Sequence, residues 1–196
     1  MNFTQEELQS FGFRKLGRNV RIHRSAVLAG CEQISIGDHS RIDCFTLISA
    51  GEQGVEIGCC VHIAAGCYLF GGGGRIALED FSGLSSRVSL YTATDDYSGG
   101  AMTNPTVPDE FRNVASGDVI LRKHAIVGAS CVVLPGVELQ QGAAVGALTC
   151  VRKDVSEFSI QVGNPRRPQV VGTRGRKLLE LEEQCRNVMR EREAIE

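Results

Sequence analysis

The sequence has no tryptophan, and no hydrophobic run in it approaches the roughly 20 residues that span a bilayer. With only three tyrosines and eight phenylalanines, it indicates a slender core of Val, Ile and Leu. The 21 basic and 23 acidic residues nearly balance, so overall charge argues against a nucleic-acid or anionic-membrane partner. Residues 1–10 lack a basic segment followed by an apolar stretch, so we expect no signal peptide and a cytoplasmic location.

Paired metal-binding spacings and nucleotide-binding fingerprints are also missing. Eight cysteines occur, yet none of them form a C-x-x-C pair, so we expect no metal site. The cysteines are predicted to serve as small apolar side chains in a reducing compartment. The run Gly71 to Gly74 precedes a predicted strand rather than a helix, which favours a turn or small insertion over a phosphate-binding loop.

What the chain does contain is an aliphatic residue at every sixth position. This period is neither that of a helix nor that of a simple strand, so it marks an internal repeat in which each unit packs on its neighbours. The positions are Leu16, Ile22, Leu28, Ile36, Ile42, Ile48, Ile57, Ile63, Leu69, Leu78, Leu84, Leu90, Leu121, Val127, Val133, Leu139, Val145 and Val151.

The repeat predicts an all-β solenoid with three flat sides. Each hexapeptide would supply one short strand with its aliphatic side chain pointing inward, and a small residue would occupy the corner. Three hexapeptides close a coil of about eighteen residues, so the triplets give about six coils. Glycine often follows the aliphatic residue, as at Gly37, Gly58 and Gly128, and we expect it to relieve backbone crowding, with a positive φ where needed.

Residues 14–171 resemble the hexapeptide-repeat acyltransferases, most clearly over 127–137, 145–154 and 163–165. The resemblance implies a left-handed parallel β-helix, a homotrimer and acetyl-CoA as co-substrate. It is strongest to members of bacterial surface-polysaccharide (lipopolysaccharide) pathways, which acetylate a sugar hydroxyl or the amine of a nucleotide-linked amino sugar. A non-enzymatic scaffold and a carbonic-anhydrase-like metalloenzyme remain as alternatives on the same fold.

Three segments fall outside the repeat. Residues 1–13 contain a predicted capping helix with Thr4 and Glu7 at capping-box spacing. Residues 93–118 form a long loop inside the 14–171 domain, and the resemblance implies that such loops line a neighbouring subunit's active site. Residues 172–196 form a charged helix that lies on the solenoid or around a trimer axis. Its heptad-like stripe is Leu178, Leu181, Cys185, Val188, Arg192 and Ile195.

Candidate catalytic residues cluster near the long loop. Many relatives place a catalytic histidine just before this loop, but here the sequence from Tyr91 to Tyr97 has none. Asp95 or Asp96 could act as the base or orient the acceptor. His62, which precedes the inward Ile63 and therefore points outward, is the alternative base. His124 is expected to be a structural corner residue.

Donor-binding residues are implied by the resemblance. The pantetheine arm would run along backbone groups of the last coils, at positions with small side chains. Basic residues beyond the last coil suit the phosphates of acetyl-CoA. The candidates are Gly128, Ala129, Gly146, Ala147, Arg152, Lys153, Arg166 and Arg167.

Overall fold

The computed structural model describes residues 1–163 and 169–193, so the candidates Arg166 and Arg167 lie outside the described residues. The chain winds as a parallel β-helix with six complete coils and part of a seventh. The first four coils comprise β1 (Lys15–Leu16), β2 (Arg21–Ile22), β3 (Val27–Ala29), β4 (Ile34–Ile36), β5 (Arg41–Ile42), β6 (Leu47–Ser49), β7 (Val55–Ile57), β8 (His62–Ile63), β9 (Tyr68–Phe70), β10 (Ile76–Leu78), β11 (Gly83–Leu84) and β12 (Ser89–Tyr91).

A loop carrying β13 (Ala93–Thr94) and β14 (Ala115–Ser116) separates the fourth and fifth coils. The remaining strands are β15 (Val119–Leu121), β16 (Ile126–Val127), β17 (Val132–Val133), β18 (Val137–Leu139), β19 (Ala144–Val145), β20 (Cys150–Val151), β21 (Ser159–Val162) and β22 (Gln169–Thr173). The last strand pairs antiparallel with β21 and was not predicted.

Three parallel sheets form the faces of the coil. Face 1 contains β1, β4, β7, β10, β15 and β18; face 2 contains β2, β5, β8, β11, β16, β19 and β21, with β22 at its edge; face 3 contains β3, β6, β9, β12, β17 and β20. Corner 1–2, corner 2–3 and corner 3–1 are the turns between them. Equivalent positions of successive coils pair in exact register, so each side chain repeats in a column along the solenoid.

The aliphatic residues of the six-residue period form the core of the solenoid. Every aliphatic residue of the period is buried except Leu16 and Leu28, which are partly buried in the first coil and pack against the core. Most of the small corner residues are buried as well, and the hydroxyl groups of Ser40 and Thr46 bond to carbonyl groups of the next coil. Thr46 Oγ1 donates to Ala64 O at 3.2 Å, and Ser40 Oγ donates to Gly58 O at 2.7 Å. The prediction of a three-sided solenoid is confirmed.

The glycines that follow the aliphatic residues relieve backbone crowding as predicted, but they do so without a positive φ. A Cβ on Gly37 would lie 2.6 Å from Gly58 C, because the corners of successive coils stack backbone on backbone. Positive φ angles fall instead two residues later, on side chains that rarely adopt them, such as His39 (φ 61°) and Cys60 (φ 57°). Glycine is therefore required here by close approach and not by backbone dihedral angle.

The cysteines and the N-terminal helix have the structural roles that the sequence predicts. All eight cysteines are free thiols, and burial raises the pKa of Cys60 and of Cys67 to about 11, which keeps both protonated. Helix α1 (Gln5–Gln9) starts at Thr4 with the predicted capping box to Glu7. Its Leu8 is fully buried against the core of the first coil.

The long loop is built on a short antiparallel stem. Ala93 pairs with Ser116, and Gly117 donates to Thr92 O at 2.9 Å, so both ends of the loop are fixed at corner 3–1. The turn at 71–74 packs beneath this stem, since a Cβ on Gly73 would lie 2.6 Å from Thr92 O. The glycine run is thus a corner turn that lets the loop base sit close to the coil.

The C-terminal helix α2 (Lys177–Glu193) lies along corner 1–2, but not through Leu181, Cys185 and Val188 of its predicted stripe. Ile195 of that stripe lies outside the described residues. Glu182 Oε2 is 2.7 Å from His124 Nε2, and Arg186 Nη2 donates to Asp80 Oδ2 at 2.6 Å. Met189 Sδ lies 3.8 Å from Cys60 Sγ. By contrast, Leu181, Cys185 and Val188 are exposed. The buried face is therefore charged, because the corner offers His124 and Asp80 as partners. No helix within the described residues is long and apolar enough to cross a membrane.

We expect acid to release α2 before it unfolds the coil. Burial alone would raise the pKa of Glu182, but hydrogen bonds from His124, Arg186 and Lys123 outweigh it and lower the pKa to about 2. A carboxylate with a depressed native pKa stabilises the fold above its ordinary pKa, and this contribution is lost as pH falls from about 4.5 towards 2. Hydrogen exchange of α2 measured from pH 6 to pH 2 should show this early loss of protection.

Two variants at neighbouring positions test the origin of this effect. Glu182→Gln should reduce protection of α2 at neutral pH and flatten its pH dependence. The exposed neighbour Glu183 supplies the matched control, and Glu183→Gln should behave as wild type. Protection of α2 that persists unchanged to pH 2 in the wild-type protein would contradict the assignment to Glu182.

Candidate active site

The outward surface of face 2 carries His62 beside a carboxylate. The imidazole is 53% exposed and its Nε2 lies 2.9 Å from Asp43 Oδ2. Arg41 Nε donates to the other carboxylate oxygen at 2.6 Å. Burial would raise the pKa of Asp43, but the hydrogen bonds from His62 and Arg41 outweigh it, so the net pKa is lowered. Asp43 is therefore an anion that fixes one nitrogen of the imidazole and leaves the other available.

A groove of about 240 Å³ opens next to this imidazole. It runs across face 2 to corner 2–3, and its lining contains one imidazole, two hydroxyl side chains and several apolar groups. The lining residues are His62, Ala64, Gly83, Leu84, Ser85, Ser86 and Ile126. Mixed walls of this kind suit a small ligand with both polar and apolar parts.

Four of the predicted donor-binding residues extend corner 2–3 beyond the groove. Ser130 N donates to Ser86 O, and Leu148 N donates to Ala129 O, so the corner forms one continuous ridge. Gly128 has a packing reason of its own, because a Cβ there would lie 2.5 Å from Ala147 N. A Cβ on Gly146 would likewise lie too close to the side chain of Val162. Close coil stacking accounts for both glycines, and their contact with coenzyme A stays a prediction.

The predicted phosphate-binding residues lie at another corner. Arg152 and Lys153 follow β20 on face 3 and are exposed at corner 3–1 of the last complete coil. Gly146 and Ala147 precede β20 and occupy corner 2–3. Within one chain these two groups therefore lie at opposite ends of the same short strand, and any ligand touching both must run along the edge of that coil.

Asp95 is held at the start of the long loop. Its Oδ1 accepts from Arg112 Nη2 at 3.3 Å, and its Oδ2 accepts from Asn104 N at 3.2 Å. The side chains of Asp95 and Arg112 are both largely buried. Arg112 also pairs with the exposed Asp109. This arrangement fixes both carboxylate oxygens of Asp95 while leaving lone pairs on each, as a positioned proton acceptor requires.

Asp96 is placed differently from Asp95. Its Oδ1 accepts from Ser98 N at 2.7 Å, and this backbone hydrogen bond is the main reason that the pKa of Asp96 is lowered. Asn113 Nδ2 contacts its other oxygen at 3.5 Å. A carboxylate that caps the next turn of its own loop is a structural element, so the geometry favours Asp95 over Asp96 as a reactive group.

The structure does not bring His62 and Asp95 together in one chain. His62 contacts Asp43 on face 2, whereas Asp95 contacts Asn104 and Arg112 in a loop that leaves from corner 3–1. Among the described residues these two sets of contacts have no member in common. The residues thus form two separate half-sites, and no group of three or more His, Cys, Asp or Glu within the described ranges is placed to hold a metal ion.

Relatives of known activity match nearly the whole chain. A dTDP-4-amino-4,6-dideoxy-D-glucose acyltransferase from Escherichia coli is 44% identical over 176 residues, which are 90% of each protein. The chain belongs to the hexapeptide-repeat sugar acyltransferases. It is an acyltransferase. The match to this relative is too long to be explained by the six-residue repeat alone. No family model matches it.

Solved structures of other sugar acyltransferases share its coil. AntD, an N-acyltransferase from Bacillus cereus in complex with dTDP and 3-hydroxybutyryl-CoA, is 38% identical. It superposes with a TM-score of 0.89 over 96% of this chain and 98% of AntD. A maltose O-acetyltransferase from Clostridium difficile 630 is 15% identical, with a TM-score of 0.57 over 87% of this chain and 75% of that one, and it shows the fold alone.

Three functional candidates of this sugar acyltransferase were missed in the sequence. Asp43 lies 19 residues before His62, Arg112 lies 17 residues after Asp95, and Ser85 faces the groove from corner 2–3. The coil length of 21 residues here places Arg41 beside His62, and Asp43 is the next outward position after Arg41, so the repeat could have suggested it. Nothing in the sequence indicated which side chain of the loop would hold Asp95.

Proposed function

We propose that the chain transfers the acyl group of an acyl-CoA to the amine of a nucleotide-linked amino sugar, as a homotrimer. The observation that carries this proposal is the 44% identity to an acyltransferase of a dTDP-linked amino sugar over 90% of both chains. AntD in complex with dTDP-4-amino-4,6-dideoxyglucose and coenzyme A adds support, since a variant of it was solved with both molecules bound. Use of acyl-CoA is consistent with the cytoplasmic location expected from the sequence, and acetyl-CoA is the donor that the sequence predicts.

A serine and an aspartate of AntD give further support. The solved variants of that enzyme replace one aspartate and one serine, which lie ten residues apart in its sequence. Ser85 and Asp95 have this separation here, and Ser86 and Asp96 share it. We assign Ser85 and Asp95 as the counterparts of the serine and the aspartate of AntD. Ser85 lines the groove, and Asp95 is the better positioned of the two carboxylates.

The reaction then needs little from the protein beyond placement and one proton acceptor. The neutral amine attacks the thioester carbonyl carbon, which gives a tetrahedral intermediate with a positively charged nitrogen. That nitrogen is strongly acidic, so a carboxylate can remove its proton. Asp95 accepts this proton, Ser85 hydrogen-bonds the acceptor, and collapse of the intermediate breaks the carbon–sulfur bond and releases coenzyme A.

Assembly would join the two half-sites. The loop of one subunit would bring Asp95 to the groove and corner 2–3 of its neighbour, where Gly128, Ala129 and Ala147 would line the path of the pantetheine arm. His62 would orient the acyl or sugar group rather than serve as the only base. Arg152 and Lys153 would contact the phosphates of coenzyme A.

Calorimetry with acyl-CoA and coenzyme A tests the donor, and an acylation assay tests the acceptor. We expect micromolar binding with a stoichiometry near one per chain, followed by turnover with a dTDP-linked 4-amino sugar and none with free maltose. Absence of binding at millimolar acyl-CoA would overturn the proposal. Binding with turnover only on a sugar hydroxyl would overturn the amine as acceptor.

Lys153→Ala should raise the KM for acyl-CoA with little change in kcat. Loss of one charge-assisted hydrogen bond to a phosphate costs about 1.5 kcal/mol, which corresponds to roughly tenfold in binding. Steady-state kinetics with varied acyl-CoA measures the change. Lys177→Ala, which removes an exposed lysine from the start of α2, is the control and should leave the KM as in wild type. An unchanged KM in Lys153→Ala would remove Lys153 from the donor site.

A further inference from the structure

Gly83 is a glycine that neither its backbone nor its packing requires. Its φ lies outside the left-handed region, and a Cβ there would meet only His62 O, at an ordinary 3.5 Å. In contrast, a Cβ on Gly37, Gly58 or Gly128 would lie within 3 Å of backbone atoms. No other strand within residues 1–163 contains a glycine. Since glycine weakens a strand, its presence in β11 points to something that approaches the backbone from outside.

The missing side chain creates the groove on face 2. Gly83 pairs in register with His62 on one side and with Ile126 on the other. These two neighbours project from the face and are 53% and 42% exposed, so the space between them has an imidazole wall, an isoleucine wall and a floor of glycine backbone. Ser85 and Ser86 close its end at corner 2–3.

We propose that this groove holds the acyl group of the thioester donor and that Gly83 sets the length of chain that is accepted. The inference rests on the proposed function and adds to it a residue that selects the donor. A groove of about 240 Å³ has the volume of roughly eight water molecules, which exceeds that of a four-carbon acyl group. The groove also opens onto corner 2–3, along which the pantetheine arm is proposed to run.

The chemistry of the walls indicates which acyl groups fit. Ile126 and Ala64 offer apolar contact to a short alkyl chain, while His62 can hydrogen-bond a hydroxyl group on it. The imidazole is held through Nε2 by Asp43, which leaves Nδ1 for such a bond. A short chain with one hydroxyl group therefore matches the groove better than a long alkyl chain.

Donor selectivity of position 83 variants tests the inference. Valine favours strands, and a Cβ at this position makes only ordinary contacts, so Gly83→Val should fold. We expect it to lower kcat/KM for butyryl-CoA and 3-hydroxybutyryl-CoA at least tenfold more than for acetyl-CoA, with Gly83→Ala between it and wild type. Ser89→Val places the same side chain on face 3 of the same coil and should leave donor preference unchanged.

An equal loss with all donors, or no loss with any, would overturn the inference. Calorimetry without any acceptor separates it from the proposed function. Wild type should bind butyryl-CoA more tightly than coenzyme A, and Gly83→Val should remove this difference while still binding coenzyme A. The same difference in both proteins would place the acyl group elsewhere, whereas a wild type that binds no acyl-CoA would overturn the proposed function itself.

Discussion

Replacing Asp95 by asparagine should lower kcat about 100-fold, the range in which a positioned general base contributes, while the affinity for acyl-CoA changes by no more than about twofold. Asparagine keeps the shape of the side chain, and its amide oxygen can still accept the hydrogen bond from Arg112, although the amide nitrogen cannot accept the one from Asn104. It cannot take a proton from the charged nitrogen of the intermediate. Steady-state turnover and calorimetry on the same preparation give both numbers.

A second acid of the same loop provides the control. Asp109 also pairs with Arg112, at 3.1 Å, but is 97% exposed, so Asp109→Asn removes a similar charge without touching the proposed base. We expect its turnover to stay within about twofold of wild type, since an exposed ion pair contributes at most about 1 kcal/mol. Equal turnover in Asp95→Asn and wild type would exclude Asp95 as the proton acceptor and leave His62 as the candidate.

Gly37→Ala should destabilise the protein by about 3 kcal/mol, the upper end of what overpacking usually costs. Its Cβ would lie 2.6 Å from Gly58 C and 2.7 Å from Cys59 N, and neither backbone can move away without breaking the pairing between coils. For a chain of this length the loss corresponds to a fall in Tm of roughly 6 to 12 °C. Thermal unfolding followed by circular dichroism measures it.

The same substitution at another glycine is the matched control. A Cβ on Gly83 makes only an ordinary contact, so Gly83→Ala should be neutral or raise stability by about 0.5 kcal/mol through its effect on the unfolded chain. Similar melting temperatures for Gly37→Ala and Gly83→Ala would show that close stacking at the corners does not explain the glycines of the repeat.

The coil could be predicted because its determinants are local. An inward aliphatic residue at every sixth position specifies both the strands and the core, and residues such as Ile42, Ile63 and Leu84 are buried as expected. The positive φ angles of Phe45, Phe81 and Arg87 could not be predicted, since no intrinsic preference of these residue types favours that conformation. Stacking of the coils imposes it.

The face on which α2 packs is the clearest failure of the pattern. Apolar periodicity selected Leu181, Cys185 and Val188, whereas the contacts with the coil are made by Glu182, Arg186 and Met189. A hydrophobic stripe predicts burial only when the partner surface is apolar, and corner 1–2 presents His124 and Asp80 instead. The partner surface is formed by residues far away in sequence and could not be inferred from the helix.

The candidate site was predictable in its parts but not in its arrangement. Asp95 and His62 became candidates from position and residue type, while the side chains that hold them, Arg112 and Asp43, depend on how the loop folds and how coils stack. The two half-sites lie on different parts of one chain, so under the proposed function the complete site would depend on how subunits associate. Such an association would be a property of surfaces and would leave no periodic signal in the sequence.

The stem formed by β13 and β14 lets the solenoid accept changes of sequence and length in one place, the loop between these two strands. Successive coils place paired residues such as Cys59 and Asp80 21 positions apart, but across the loop Arg75 and Asp118 are paired at a separation of 43. Doubling the length of a connection adds only about 0.6 kcal/mol of closure entropy. The segment between the two stem strands can therefore be lengthened, shortened or exchanged with little loss of stability in the rest of the chain. If the loop contacts the acceptor as proposed, new acceptor specificities would arise by changes in this one insert, while the coil proposed to bind the donor stays intact.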